Sequence, residues 1–187
     1  MLQRNGFRVF GLPVTATANQ IQKQKSSFAK RMRLGMPVDA GVVGALKLPV
    51  SPDEDALNRA IERLSEPETR LLDEMMWFWG ATAEVESKDL QAAHELVAAG
   101  ELEAAITKFT KLANGPRGPV AATAAHEVAV ATHLLALEST ATDDNVRVGL
   151  WRRALHAWGQ AASGNGAWLS TDPAWEPFRR IVVETKA

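Results

Sequence analysis

Apolar residues recur at helical spacing through almost the whole chain, and no stretch alternates convincingly with a period of two. That pattern leaves little room for a sheet and predicts an all-α fold. The clearest boundary is Ser51-Pro52-Asp53-Glu54, read as an N-cap serine, a proline in the first helical position and a glutamate in the capping-box position. Behind it Leu57, Ala60, Ile61 and Leu64 fall at i, i+3, i+4 and i+7, one buried face of a helix. Ser65-Glu66-Pro67 ends that helix and starts a second, short one carrying Arg70, Leu71, Leu72 and Met75.

Upstream, Gly6 to Leu12 is short and apolar. Thr17 with Gln20 forms a capping box for a helix from Ala18 to about Leu34. On it Ile21, Phe28 and Met32 mark an apolar side, and Gly35 and Pro37 stop it. Residues 35–50, rich in Gly and small apolar groups, read as a loop, and 81–87 as a connector. Downstream the spacing predicts a hairpin of Leu90–Ala99 and Leu102–Leu112 turning at Gly100. A long Ala-rich helix from about Val120 to Leu137 follows, then one from about Val146 to Ala162 started by Asp143-Asp144, and a short one beginning at Asp172-Pro173.

With 187 residues, 46% of them apolar, the chain can bury one large core or two small ones. It has no cysteine, which removes disulfides, thiolate metal sites and a cysteine nucleophile together. The most apolar stretch, Val120 to Leu137, is interrupted by His126, Glu127 and His133 and reads as too polar to span a bilayer. With no signal-peptide core at the N-terminus, a cytoplasmic protein without membrane contact is expected.

Charge is distributed unevenly. Residues 1–50 carry eight Lys or Arg against Asp39 alone, whereas 51–100 carry four basic and twelve acidic residues. The acidic helix that follows the basic one suggests internal compensation. A basic face for nucleic acid phosphates or for an acidic protein surface is the alternative, with Lys25, Lys30 and Arg31 as its candidate contacts.

Phe7-Arg8-Val9-Phe10-Gly11-Leu12, the basic helix, and Asn58-x-Ala60-Ile61-x-x-Leu64-Ser65-Glu66-Pro67-x-x-Arg70 together resemble the J-domain of the DnaJ co-chaperone family over residues 5–80. The resemblance implies a J-like unit over 1–80. That family activates DnaK-type ATPases with a His-Pro-Asp tripeptide between its second and third helices. Here the connection reads Leu34-Gly35-Met36-Pro37-Val38-Asp39, without a histidine, and is longer than usual. The fold is therefore expected without the ATPase stimulation. Ala92-Ala93-x-x-Leu96-x-x-x-Gly100-x-x-x-Ala104-Ala105 resembles a tetratricopeptide hairpin, which implies a repeat-like unit over 81–187.

Nothing in the chain points to catalysis, a metal or a cofactor. His126 and His133 stand two helical turns apart, too far to share an ion, and His94 and His156 lie on other helices. Gly41-Val-Val-Gly44 lacks the rest of a phosphate loop. Of the six tryptophans most are expected in the core, with Trp77, Trp79 and Trp175 as candidates for a partner surface. Trp77 and Trp79 serve equally as glue between the two units. The expected function is a non-catalytic adaptor for a protein partner, with further domains of a longer chain among the candidates. A nucleic-acid-associated regulator, or a co-chaperone working without the tripeptide, stands as the alternative.

Overall fold

The N-cap of the first helix is already tertiary structure. In the computed structural model, which describes residues 4–36, 38, 52–79 and 87–163, Asn5 accepts the N–H groups of Phe7 and Arg8 on its side-chain oxygen (3.0 and 3.2 Å). Its amide nitrogen donates to the backbone oxygen of Asp73, 2.7 Å away. Among the described residues the fold is all-helical, with eight helices and no strand.

The chain divides into two compact units, Met1–Gly80 with Val97–Gly100, and Ala81–Leu96 with Glu101–Ala187. In the first unit, α1 (Gly6–Phe10), α2 (Ala18–Arg33), α3 (Glu54–Ser65) and α4 (Pro67–Met75) pack around α1. Every residue of α1 is buried. A five-residue helix has too few internal hydrogen bonds to stand alone, so its helicity comes from the walls around it. Phe10 lies 6.1 Å from Phe28 of α2, and Gln24 donates to the Phe10 carbonyl at 3.1 Å.

Asp73 of α4 is the polar centre of this unit. Its side chain, 1% exposed, accepts Gly6 N–H at 2.8 Å and two N–H groups of Arg63 of α3, at 2.5 and 3.1 Å. The bond to Asp73 raises the pKa of Arg63 against the opposing effect of burial. The carboxylate thus meets the first amide of a helix N-terminus and a guanidinium fork together, two arrangements that favour negative charge. Close approach matters as much. A Cβ on Gly6 would stand 2.5 Å from Leu64 Cγ, so only glycine lets α1 touch α3 there.

The start of α3 differs from the sequence expectation. Asp53, not Ser51, is the N-cap, accepting Ala56 N–H at 2.7 Å, and Pro52 precedes the cap. Asp53 has the extended backbone of an N-cap, and its carboxylate oxygen reaches the N–H of the third residue on, Ala56. Pro67 opens α4, and Thr17 with Gln20 forms the expected capping box on α2.

The second unit holds α5 (Lys88–Ala98) as far as Leu96, with α6 (Leu102–Ala113), α7 (Pro119–Glu138) and α8 (Asp144–Ser163). Between α5 and α6, Gly100 adopts φ +82°; its N–H bonds to Val97 O and that of Glu101 to Leu96 O. This pair of bonds satisfies the last carbonyls of α5 and requires a left-handed residue, which glycine supplies without strain. Leu102, Ala105, Ile106 and Phe109 give α6 one buried face toward α7. Of the small residues expected to line the hairpin, Ala93 and Ala105 are buried, whereas Ala104 is exposed.

Helix α7 packs on α6 and α8 and is buried along most of its length. Alanines permit this proximity: Ala129 of α7 meets Ala157 and Ala161 of α8, with Ala125, Val128 and Trp158 around them. The expectation that this segment is too polar for a membrane span is corrected. By length and composition α7 passes, at mean hydropathy 1.4, because its His and Glu are diluted by alanine and valine. In this fold 61% of that window is buried in protein, as in the core helix of a helical array.

Asn at position 73 removes the counter-charge of Arg63 and leaves one oxygen where Gly6 and Arg63 now use two. Asp73→Asn is expected to destabilise the first unit by about 3–5 kcal/mol. Gly6→Ala is expected to cost about 1–3 kcal/mol through overpacking against Leu64. Urea denaturation of both variants against the unaltered chain measures each, and an unchanged midpoint for Asp73→Asn would exclude the central role given to that carboxylate.

Candidate functional site

Helix α2 presents its charge on the side away from its core face. Lys23 and Lys30 lie seven residues apart, opposite the buried Ile21 and Phe28; Arg31 and Arg33 lie outside the buried face as well. Lys25 falls beside the apolar stripe and is half-buried. Lys30, Arg31 and Arg33 crowd the last turn, where positive charge complements the helix dipole. Leu34 and Met36 follow at 63% and 50% exposure, so the basic end of α2 carries an apolar tip.

The internal compensation expected for this helix is not made by direct pairing. Among the described residues none of Lys23, Lys25, Lys30, Arg31 and Arg33 has an ion pair. Two of the three acids of α4 are taken by arginines close by in sequence, Asp73 by Arg63 of α3 and Glu74 by Arg70 of α4 at 2.7 Å. Local arginines within ten residues outcompete lysines on another helix, because less chain must be ordered to bring them together.

Of the tryptophans expected at a surface, Trp77 is the correction. It is 1% exposed, its ring edge-on to Phe78 at 5.6 Å and under the Arg8 guanidinium at 6.0 Å. A large ring beside a buried cation is held by the quadrupole attraction between them as well as by its area. Trp79 is half-buried and donates its indole N–H to the Glu74 carbonyl at 2.9 Å. Trp175 lies outside the described residues, as do Trp168, the turn at Gly164-Asn165-Gly166, the helix at Asp172-Pro173, and most of the loop and connector.

In the second unit the structure gathers residues that lie far apart in sequence. His94 of α5 sets its Nε2 3.5 Å from Glu127 Oε1 of α7 and its ring edge-on to Phe109 at 5.1 Å. His126, fully buried, has Nδ1 4.0 Å from Glu127 Oε2 and its ring 5.8 Å from Trp158 of α8. Trp158 donates its indole N–H to His133 Nδ1 at 3.3 Å, so that nitrogen is the bare acceptor of a neutral ring. His133 also meets Trp151 edge-on at 5.3 Å. The seven-residue spacings of His126/His133 and Trp151/Trp158 therefore interleave two helices. That double spacing is visible in the sequence, whereas the link from Glu127 to His94 leaves no local signal.

Burial holds His94 far below its ordinary value, to about 4, and lowers His133 as well. Desolvation outweighs the pull of the nearby Glu127, so His94 is neutral at physiological pH. Among the described residues no group of three or more His, Asp and Glu is placed to hold a metal ion. The cluster acts as a polar–aromatic seam between helices.

Beside the Trp151 contact with His133, α8 keeps apolar residues in water. Val148, Trp151 and Leu155, at i, i+3 and i+7, are 47%, 39% and 67% exposed. They lie roughly 120° round the helix from the alanines that face α7. Arg147 and Asp144 flank the stripe and pair with each other.

The His94 shift carries a sign. Between pH 6.5 and about 4 the unfolded chain binds a proton that the folded chain does not, so stability rises with pH across that window and falls on acidification. His94→Gln is expected to flatten this slope between pH 6.5 and 5, above the range of ordinary carboxylates, as read from urea midpoints of both proteins. An unchanged slope in the variant would place the neutral histidine elsewhere. No family model, curated protein or solved structure matches this chain.

Proposed function

We propose that the chain is a non-catalytic protein-interaction module, an adaptor built from a J-like unit without the His-Pro-Asp tripeptide and a tetratricopeptide-like unit. The observation that carries this reading is the stripe Val148–Trp151–Leu155 on α8. A helix that already buries an alanine face on α7 leaves Val148 and Leu155 in water, beside Trp151, whose ring edge rests on His133 of α7 while 39% of the residue stays exposed. Such a face is the usual form of an anchor for a partner helix. The candidates Trp79 and Trp175 belong to the same reading, while Trp77 serves the interior.

The test is capture of partners from the native host by the whole chain, compared with a Val148→Ser, Leu155→Ser variant. Both positions are exposed, so the variant is expected to keep the circular dichroism and urea midpoint of the unaltered chain. A protein retained by one and lost by the other supports the adaptor. Equal retention by both sets the α8 face aside.

A second reading rests on the α2 face, whose cations have no internal partner among the described residues. A nucleic-acid-associated regulator would bind DNA or RNA with an affinity that falls steeply with salt, and would lose it on Lys25, Lys30 and Arg31→Ala. Binding that ignores salt, or none, removes this reading. Without the tripeptide, no stimulation of a DnaK-type ATPase is expected at saturating protein, and clear stimulation in that assay would instead favour a co-chaperone.

A further inference from the structure

Among the described residues six large apolar side chains are exposed, and four of them stand on α8: Val146, Val148, Trp151 and Leu155. The main packing of α8 is on α7, through its alanine side. Uncovered apolar surface is therefore concentrated on the last described helix. The sequence runs on from the end of that helix for 24 residues, Gly164 to Ala187, outside the described residues. Trp175, Phe178, Ile181 and Val182 fall there within eight residues. Pro177 suits the first position of a helix, and Phe178, Ile181 and Val182 behind it lie at i, i+3 and i+4, one face. That face and the α8 stripe are the two apolar surfaces nearest to each other along this part of the chain, and both belong to the second unit.

Distance permits them to meet. From Ser163 back to Val148 the stripe extends about 22 Å along the helix axis. The thirteen residues between Ser163 and Pro177 reach up to roughly 43–47 Å when extended, so every part of the stripe is accessible to the segment. The tether also decides which occupant comes first. A short flexible connection holds its two ends at an effective concentration of about 1 mM, so a free partner at about 1 μM making equal contacts is outcompeted roughly a thousandfold.

We propose that the segment following Pro177 lies on the α8 stripe, with Phe178, Ile181 and Val182 covering Val148, Leu155 and the exposed part of Trp151. The proposal rests on the α8 face of the adaptor reading and adds its regulation: the chain's own end occupies the face, and a partner helix binds by displacing it. The Trp151 contact with His133 is kept, because the segment covers only the side of the ring that is in water.

The chain has no cysteine, so one engineered thiol can carry a nitroxide label at a known place. With the label on Thr185→Cys in the whole chain, amide NMR signals of Val148, Trp151 and Leu155 are expected to broaden. Those of Ala104 and Thr107, exposed on α6, are expected to stay sharp. Adding Phe178→Ser and Val182→Ser to the labelled chain is expected to restore the α8 signals. Unchanged α6 and α7 shifts verify that this variant folds; should it fail, the α8 against α6 comparison in the labelled chain still decides. Equal broadening on both helices, or none on α8, would overturn the proposal. So would broadening of an unlabelled chain by labelled copies mixed with it, which assigns the stripe to a second copy. Where a partner is captured through α8, Phe178→Ser with Val182→Ser is expected to tighten its binding about tenfold, the gain when a face open one-tenth of the time becomes fully open. Unchanged affinity would overturn the regulatory role. The label reads the segment and capture reads the partner, so either reading can fail without the other.

Discussion

The Asp73 carboxylate is where three helices of the first unit meet, and the unit's geometry follows from satisfying it. A buried carboxylate needs several donors, and they come from the start of α1 and from Arg63 of α3, while Asp73 itself belongs to α4. Its backbone oxygen takes a further bond from Asn5, which in turn caps α1. One residue thereby fixes where α1 begins, which way it points and how close α3 and α4 approach. The apolar packing of Phe7, Phe10 and Leu64 supplies the driving force but would tolerate several arrangements; directional bonds select among them.

The second unit solves the same problem with softer contacts. Its helices are joined by alanine proximity and by rings placed edge to face, with one indole N–H bond to His133. Glu127 and His126 of α7 are fully buried, so this interior, too, is specified by polar groups. Lys23 and Lys30 of α2 and Val148 and Leu155 of α8 are exposed outside these cores, which lets those positions change without altering the fold.

Helix positions are readable in the sequence because each has a local cause. Thr17 and Gln20 cap α2, Pro67 opens α4, Gly100 turns the hairpin, and the apolar spacing of α3 and α6 sets their buried sides. Partnerships across long separations are not readable in this way. Asp73 sits in an apolar run, Leu71-Leu72-Asp73-Glu74-Met75, and nothing local distinguishes it from the acids around it. Three adjacent aromatics on a helix cannot share one interior, and on that ground Trp77 falls among the surface candidates. Trp77 and Phe78 nevertheless both enter the core, and Trp79 stays half out, because the chain after α4 is no longer helical and turns its side chains independently. The α2 charge goes unpaired for a related reason: sequence proximity of opposite charges does not say which arginine arrives first.

The bond from Asn5 to Asp73 spans 68 residues, and it has a meaning for the order in which the protein is made. As the chain leaves the ribosome, Phe7, Val9 and Phe10 emerge some sixty residues ahead of α4, yet the walls that enclose them are not complete until α4 has followed. At roughly 5–20 residues per second that interval lasts several seconds. During it the future centre of the first unit is an exposed apolar segment on a nascent chain, too short to hold a helix by itself. The N-terminal unit therefore cannot close progressively from its beginning; it closes when Asp73 arrives, in one step, from its end.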